Sequence, residues 1–219
     1  MRKMMTQTQK TASPKPAIKG LYALTPDSID TADLLSRVKL ALAGGVQVLQ
    51  YRNKIASTDL RKTQAHALRD LTRVSNVTFI VNDDARLAAE VDADGVHLGA
   101  ADGAIKAARL LLGDNKLIGV SCYNRLQLAQ SAVAVGADYV AFGAFYSSST
   151  KPDAAVATIN LLQDASALLD VPIVAIGGIS ANNGAVLLQA GADALAVISA
   201  VFDAADIQQA AKNLAQLFK

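Results

Sequence analysis

Val135-Gly136-Ala137-Asp138-Tyr139-Val140-Ala141-Phe142 decides the fold. A glycine ends a helical pattern, and an apolar run then continues without polar alternation, as in a strand covered on both faces. The junction recurs at Ala43-Gly44-Gly45-Val46 and at Ala190-Gly191-Ala192-Asp193. Glycine suits the end of a helix because it adopts positive φ without a Cβ penalty. The recurrences lie too far apart for a solenoid and suit a repeated strand–helix unit.

Working outward, apolar runs predict strands over 20–25, 46–50, 78–81, 95–98, 117–120, 139–142, 173–176 and 194–198. Helical spacing predicts helices over 31–43, 58–74, 84–91, 104–112, 125–135, 155–169, 182–189 and 204–218. Eight such units in about 200 residues specify an α/β fold, a (β/α)8 TIM barrel in a single domain over residues 19–219. A doubly wound open sheet is the alternative. It would usually carry a glycine-rich turn after its first strand, where Thr25-Pro26-Asp27 stands instead. Residues 1–18 are basic and polar, without the apolar centre of a secretory signal, and read as a flexible N-terminal tail.

The composition narrows the function. Of 219 residues, 52% are apolar, and the net charge of +2 is too small to argue for nucleic acid or an anionic membrane as partner. The single cysteine, Cys122, excludes an internal disulfide and fits a reducing, cytoplasmic setting. There is no Cys/His cluster with zinc spacing and no apolar run of the ~20 residues a membrane span needs.

A barrel collects its chemistry at the C-terminal ends of its strands. The residues there are Gln50-Tyr51-Arg52-Asn53-Lys54, Asn82-Asp83-Asp84, His97 to Asp102, Ser121-Cys122-Tyr123, Ser147-Ser148-Ser149-Thr150-Lys151, Gly177-Gly178-Ile179-Ser180 and Ser199-Ala200. Hydroxyls ending in a lysine suit a phosphate, and so does a double glycine before the helix expected from Asn182. Arg52, Lys54 and Lys151 supply cationic donors, while Asp83 and Asp102 supply hard oxygen ligands for Mg²⁺ bound with a diphosphate. Two phosphorylated substrates, or one long one, would fit. His97 reads as a packed, hydrogen-bonded ring rather than a base, and Cys122 as a buried small side chain rather than a nucleophile. Ser199 reads either as part of the glycine-side anion site or as a cap for the last helix.

From Gly20 to Phe218 the ordered set resembles the thiamine-phosphate synthase family. It comprises Gln50 to Lys54, Val81-Asn82-Asp83, Asp94 to Gly99, Gly119-Val120-Ser121, Gly136 to Val140 with Ser149-Thr150-Lys151, Ala175 to Ile179 and Ala196 to Ser199. The resemblance implies a Mg²⁺-dependent transferase joining 4-amino-2-methyl-5-hydroxymethylpyrimidine diphosphate to 4-methyl-5-(2-phosphooxyethyl)thiazole, or its carboxylated form. The products would be thiamine phosphate and pyrophosphate. It implies that Gln50, Tyr51, Arg52, Asn53, Lys54 and Asn82 hold the pyrimidine diphosphate and that Asp83 and Asp102 bind Mg²⁺. Ser121 and Lys151 would contact the diphosphate. Ser148, Ser149, Thr150, Gly178, Ile198 and Ser199 would line the thiazole phosphate site. Arg52, Lys54, Ser121 and Lys151 would then act catalytically by stabilising the departing charge. The chain departs from the family where Glu is common (Asn53), where Gln is usual (Ala100) and where Pro-Thr is common (Ser147-Ser148). A thiazole tautomerase and a non-catalytic phosphate-ligand sensor are the rival readings. The oligomeric state is left open, a homo-oligomer included.

Overall fold

Each short strand turns alternate side chains into a closed ring and the others outward against helices. The computed structural model describes residues 15–99, 101–147 and 156–219. Its strands are β1 (Gly20–Leu24), β2 (Val48–Tyr51), β3 (Thr78–Asn82), β4 (Gly95–Leu98), β5 (Leu117–Tyr123), β6 (Tyr139–Phe142), β7 (Ile173–Ile176) and β8 (Ala194–Val197). They pair in parallel in chain order, and β8 returns to β1. The (β/α)8 barrel is therefore closed, and the open sheet is excluded. The intervening helices are α1 (Thr31–Ala43), α2 (Thr58–Val74), α3 (Ala85–Glu90), α4 (Asp102–Leu112), α5 (Leu126–Ala134), α6 (Ile159–Leu168) and α7 (Ala185–Gln189). After β8 come α8 (Ser199–Phe202) and α9 (Ile207–Ala215).

The inner face carries Tyr22, Val48, Ile80, Leu117, Tyr139 and Val174, and Ile18 joins them from just before β1. Residue 18, expected in the tail, is thus packed into the barrel, and Lys15 pairs with Asp138. The outer face meets the helices. Leu34, Val38 and Ala41 of α1 are buried at helical spacing, and each large aliphatic covered this way stabilises the fold by roughly 1.5–3 kcal/mol. Gly119 is small for a packing reason. A Cβ there would lie 1.9 Å from Tyr139 Cζ, so the tyrosine ring occupies the volume a side chain would need.

The recurring junctions explain the register. Asp94, Asp138 and Asp193 immediately precede β4, β6 and β8, and each carboxylate accepts the N–H of Phe79, Ile118 or Ile173 at 2.8 Å. Each aspartate so ties one strand to its predecessor at the bottom of the barrel. Gly136 and Gly191 take φ of 106° and 107° just before this device. At the β4 junction Asp92 takes φ of 52° in the place of glycine, which hides that repeat from a search for Gly-Ala-Asp.

Three expected helices differ. The one predicted over 155–169 begins at Ile159, where the Thr158 hydroxyl caps the Leu161 N–H, and residue 155 lies outside the described residues. The one predicted from Asn182 begins at Ala185, because Asn183 Oδ1 accepts the Ser180 N–H and its amide donates to the Gly178 carbonyl, closing a turn first. The one predicted over 204–218 is divided. Ser199–Phe202 forms a separate turn of helix, and α9 begins after Asp206, whose carboxylate caps the Gln209 N–H. Among the described residues no helix is long and apolar enough to cross a membrane.

Candidate active site

The strand C-terminal ends surround a cavity of about 560 Å³ whose floor is the inner layer of the barrel. Leu24, Val174, Ile176 and Ile198 give it apolar walls, and Gln50, Asn82, His97 and Ser121 place polar groups on one side. A second cavity of about 410 Å³ lies between the segments following β2 and β3. It is lined by Arg52, Lys54, Arg61, Asp83 and Asp84, and it shares Arg52 and Asn82 with the first. An apolar chamber beside a charged one suits a flat organic ring carrying a polyanion.

The strand-end residues do not all face the same way. Gln50 points inward, is 3% exposed, and donates from Nε2 to the Tyr22 hydroxyl at 2.7 Å. Tyr51, one residue on, points outward, and its hydroxyl donates to Gln64 Oε1 at 2.8 Å. Burial pushes that phenol up to about 12. Tyr51 therefore borders only the smaller cavity. Arg52 reaches Asp27 at 3.4 Å, and its backbone N–H donates to the Thr25 hydroxyl oxygen at 2.9 Å. Asn53 spends its amide inside the protein. It donates to the Ser28 carbonyl and to Gln64, and accepts from the N–H groups of Ile55 and Ala56. The position where the resemblance placed a ligand is a brace between two loops. The Lys54 side chain is exposed at the smaller cavity, while its N–H donates to Asp27.

Asp83 adopts φ of 62°, and its N–H donates to the His97 carbonyl at 2.8 Å. The Asn82 amide donates to its carboxylate at 2.7 Å. Asp84 caps α3 through the Leu87 N–H. Asp102 is the first residue of α4, and its side chain lies outside the described residues. So do Ala100 and the run Ser148, Ser149, Thr150 and Lys151. Ser147 borders the central cavity with Gly177, Gly178, Ile198 and Ser199. Both glycines are required by close approach. A Cβ on Gly178 would lie 2.5 Å from the Ser147 carbonyl oxygen, and one on Gly177 would lie 2.4 Å from Ala144 Cβ. Ser199 starts α8 and makes no side-chain cap, so it is free to face the cavity.

His97 and Ser121 meet within the central cavity, His97 Nε2 lying 2.9 Å from Ser121 Oγ. Burial drives the His97 ring down to about 4, so it is neutral near pH 7 and not a ready base. Cys122 faces the outer core, and burial pushes its thiol up to about 12, which leaves it inert as a nucleophile. Arg61 was not visible from sequence. It sits in the first turns of α2 rather than at a strand end, yet it lines the smaller cavity, and its buried Nε has no partner among the described residues. Among the described residues no group of three His, Cys, Asp or Glu side chains forms a cage for a metal.

A family model described as thiamine monophosphate synthase matches residues 21–201. The chain belongs to the thiamine monophosphate synthase family. The thiamine-phosphate synthase of Methylobacillus flagellatus is 55% identical over 203 residues, covering 93% of this chain and 97% of that protein. That of Thiobacillus denitrificans is 54% identical over 199 residues, covering 91% and 94%. In three dimensions the thiamine phosphate pyrophosphorylase of Pyrococcus furiosus superposes with a TM-score of 0.81 at 36% identity, covering 90% of this chain and 94% of that one. A 3-hexulose-6-phosphate synthase, at 20% identity and a TM-score of 0.68, shares only the fold. As a member of the thiamine monophosphate synthase family the chain is an enzyme, a transferase of thiamine biosynthesis.

Proposed function

We propose that this enzyme joins 4-amino-2-methyl-5-hydroxymethylpyrimidine diphosphate to 4-methyl-5-(2-phosphooxyethyl)thiazole, or its carboxylated form, releasing pyrophosphate and forming thiamine phosphate. The observation that carries the reading is the apolar central cavity that shares Arg52 and Asn82 with a charged one beside it. The pyrimidine ring fits the first, with its diphosphate directed at the second. The thiazole enters over Gly178, Ile198 and Ser199, and its phosphate meets the segment beginning at Ser147.

The donor set fits Mg²⁺ carried in by the substrate. Asp83 offers an exposed carboxylate with one internal hydrogen bond at the cavity that would take the diphosphate, and Asp102 opens a helix on the next loop but one. One or two carboxylates completed by phosphate oxygens and water is the usual Mg²⁺ arrangement. Bound there, the ion would neutralise charge on the diphosphate.

The chain's own groups do the rest. Arg52 and Lys54, with Lys151, balance the charge that grows as the methylene C–O bond breaks, and Ser121 donates to a leaving oxygen. The electron-rich aminopyrimidine supports the cationic methylene, and the thiazole nitrogen then forms the C–N bond. The apolar walls of Leu24, Val174, Ile176 and Ile198 keep water from that carbon. No protein nucleophile is needed, consistent with an inert Cys122 and a neutral His97. A free thiol suits a reducing compartment, and we place the enzyme in the cytoplasm. Incubating the protein with both substrates and Mg²⁺ tests the reading. Thiamine phosphate and pyrophosphate should appear together, and absence of both would refute it.

A further inference from the structure

The inner layer of the barrel holds a chain of polar side chains that the proposed chemistry does not yet use. Gln50 Nε2 lies 2.7 Å from Tyr22 OH, which lies 3.0 Å from Tyr139 OH. Tyr139 OH lies 3.1 Å from His97 Nδ1, and His97 Nε2 lies 2.9 Å from Ser121 Oγ. The Tyr139 side chain is fully buried and Tyr22 is 1% exposed, so their hydroxyls must bond within this chain, while Gln50 and His97 also border the cavity. The Tyr139 ring is fixed by the space over Gly119.

Each hydroxyl has one proton, and a neutral imidazole has one N–H. The chain can therefore run in only two directions. In one, the Gln50 amide donates to Tyr22, Tyr22 donates to Tyr139, Tyr139 donates to His97 Nδ1, and the Nε2 proton goes to Ser121 Oγ. The serine proton is then left to point into the cavity. In the other, Gln50 accepts, every bond reverses, and Ser121 gives its proton to His97. It would then show only lone pairs to an incoming anion. The Gln50 amide is the one member whose two ends differ chemically, and its nitrogen is the end facing Tyr22. Its oxygen is left to accept from a bound group.

We propose that Gln50, Tyr22, Tyr139 and His97 form a one-way hydrogen-bond chain across the barrel that holds Ser121 as a donor to the departing diphosphate. An amino group of the pyrimidine, accepted by the Gln50 oxygen, locks the direction. Tyr22, Tyr139 and His97 act here as positioning residues, since their effect reaches the diphosphate only through Ser121. The chain belongs to the ligand-free protein; its consequence for catalysis rests on the reaction proposed above.

The sequence has only two histidines, so 15N-histidine labelling of a His66→Asn background isolates His97. At neutral pH the free protein should show a single tautomer protonated on Nε2. Gln50→Glu can only accept, and should move the proton to Nδ1. A wild-type ring protonated on Nδ1, or a tautomer unchanged by Gln50→Glu, overturns the chain. The kinetic arm uses Tyr139→Phe, a residue that does not border the cavity. It should lower kcat about tenfold, leave the KM for thiazole phosphate unchanged, and cost nothing further in a Ser121→Ala background. A full tenfold loss in that background would mean that Tyr139 acts by another route and would overturn the proposal. If wild-type protein shows no coupling at all, the reaction reading fails, while the tautomer measurements still judge the chain. They also judge it if Tyr139→Phe does not fold.

Discussion

The two ends of the barrel carry similar side chains in opposite states. At the bottom, Asp94 takes both Arg69 and the Phe79 N–H, and Asp138 takes both Arg109 and the Ile118 N–H. Asp92 joins Arg73 and Lys116, which hold its carboxyl below the usual range. At the top, Arg52 meets Asp27 at a long 3.4 Å, and Lys54 and Asp83 stand exposed at the smaller cavity without an ion pair among the described residues. Charges that satisfy one another tie strands together. Charges left without an ion partner on converging loops would, under the proposed function, be met by the diphosphate.

The strongest way to sharpen the contrast is at the top. Ser121→Ala should lower kcat by about 10²–10³-fold, since a transition-state donor is lost, while urea unfolding stays near wild type. A variant within a few-fold of wild type would remove Ser121 from the chemistry.

Acid should strain the inner layer next. The folded ring of His97 titrates at about 4 against an ordinary 6.5. Between those values the unfolded chain binds a proton that the folded chain refuses, so stability falls as pH drops through the window and levels off below it. The full loss is about 3 kcal/mol, from 1.36 kcal/mol per unit. Urea midpoints at pH 7 and pH 4.5 should differ accordingly, and His97→Asn should remove that part of the slope.

At the bottom, Asp138→Ala should cost about 2 kcal/mol of unfolding free energy, because it removes the anion that Arg109 and Lys15 share and leaves the Ile118 N–H without its acceptor. Its kcat should stay near wild type in the folded fraction; a matching fall in kcat would break the division between the two ends. The smallest effect belongs to Arg61→Gln. It should raise the KM for the pyrimidine diphosphate about threefold with kcat unchanged, as a half-buried cation at the rim of the cavity contributes less than about 1 kcal/mol.

Much of the fold was legible because it is written locally. Glycine junctions and unbroken apolar runs located every strand, and α1 and α2 match their expected ranges. The misplaced helices were those whose starts depend on a side chain folding back, as Asn183 does on Ser180 and Gly178. The candidate site was legible as a set of strand ends but not as a set of directions. Gln50 and Tyr51 are neighbours in sequence and face opposite sides of the strand, and Asn53 turned out to brace the loops beneath it.

The sequence alone determined the strand–helix repeat, the family and the list of polar residues at the strand ends, because periodicity and turn chemistry act over a few residues. Tertiary structure alone decided which of those residues share a cavity, that Arg61 joins them from within a helix, and that Tyr22, Tyr139 and His97 link up inside the barrel. Those facts depend on closure between β1 and β8 and on the room Gly119 leaves for the Tyr139 ring. The Tyr22–Tyr139 contact alone joins residues 117 positions apart, beyond the reach of any local pattern.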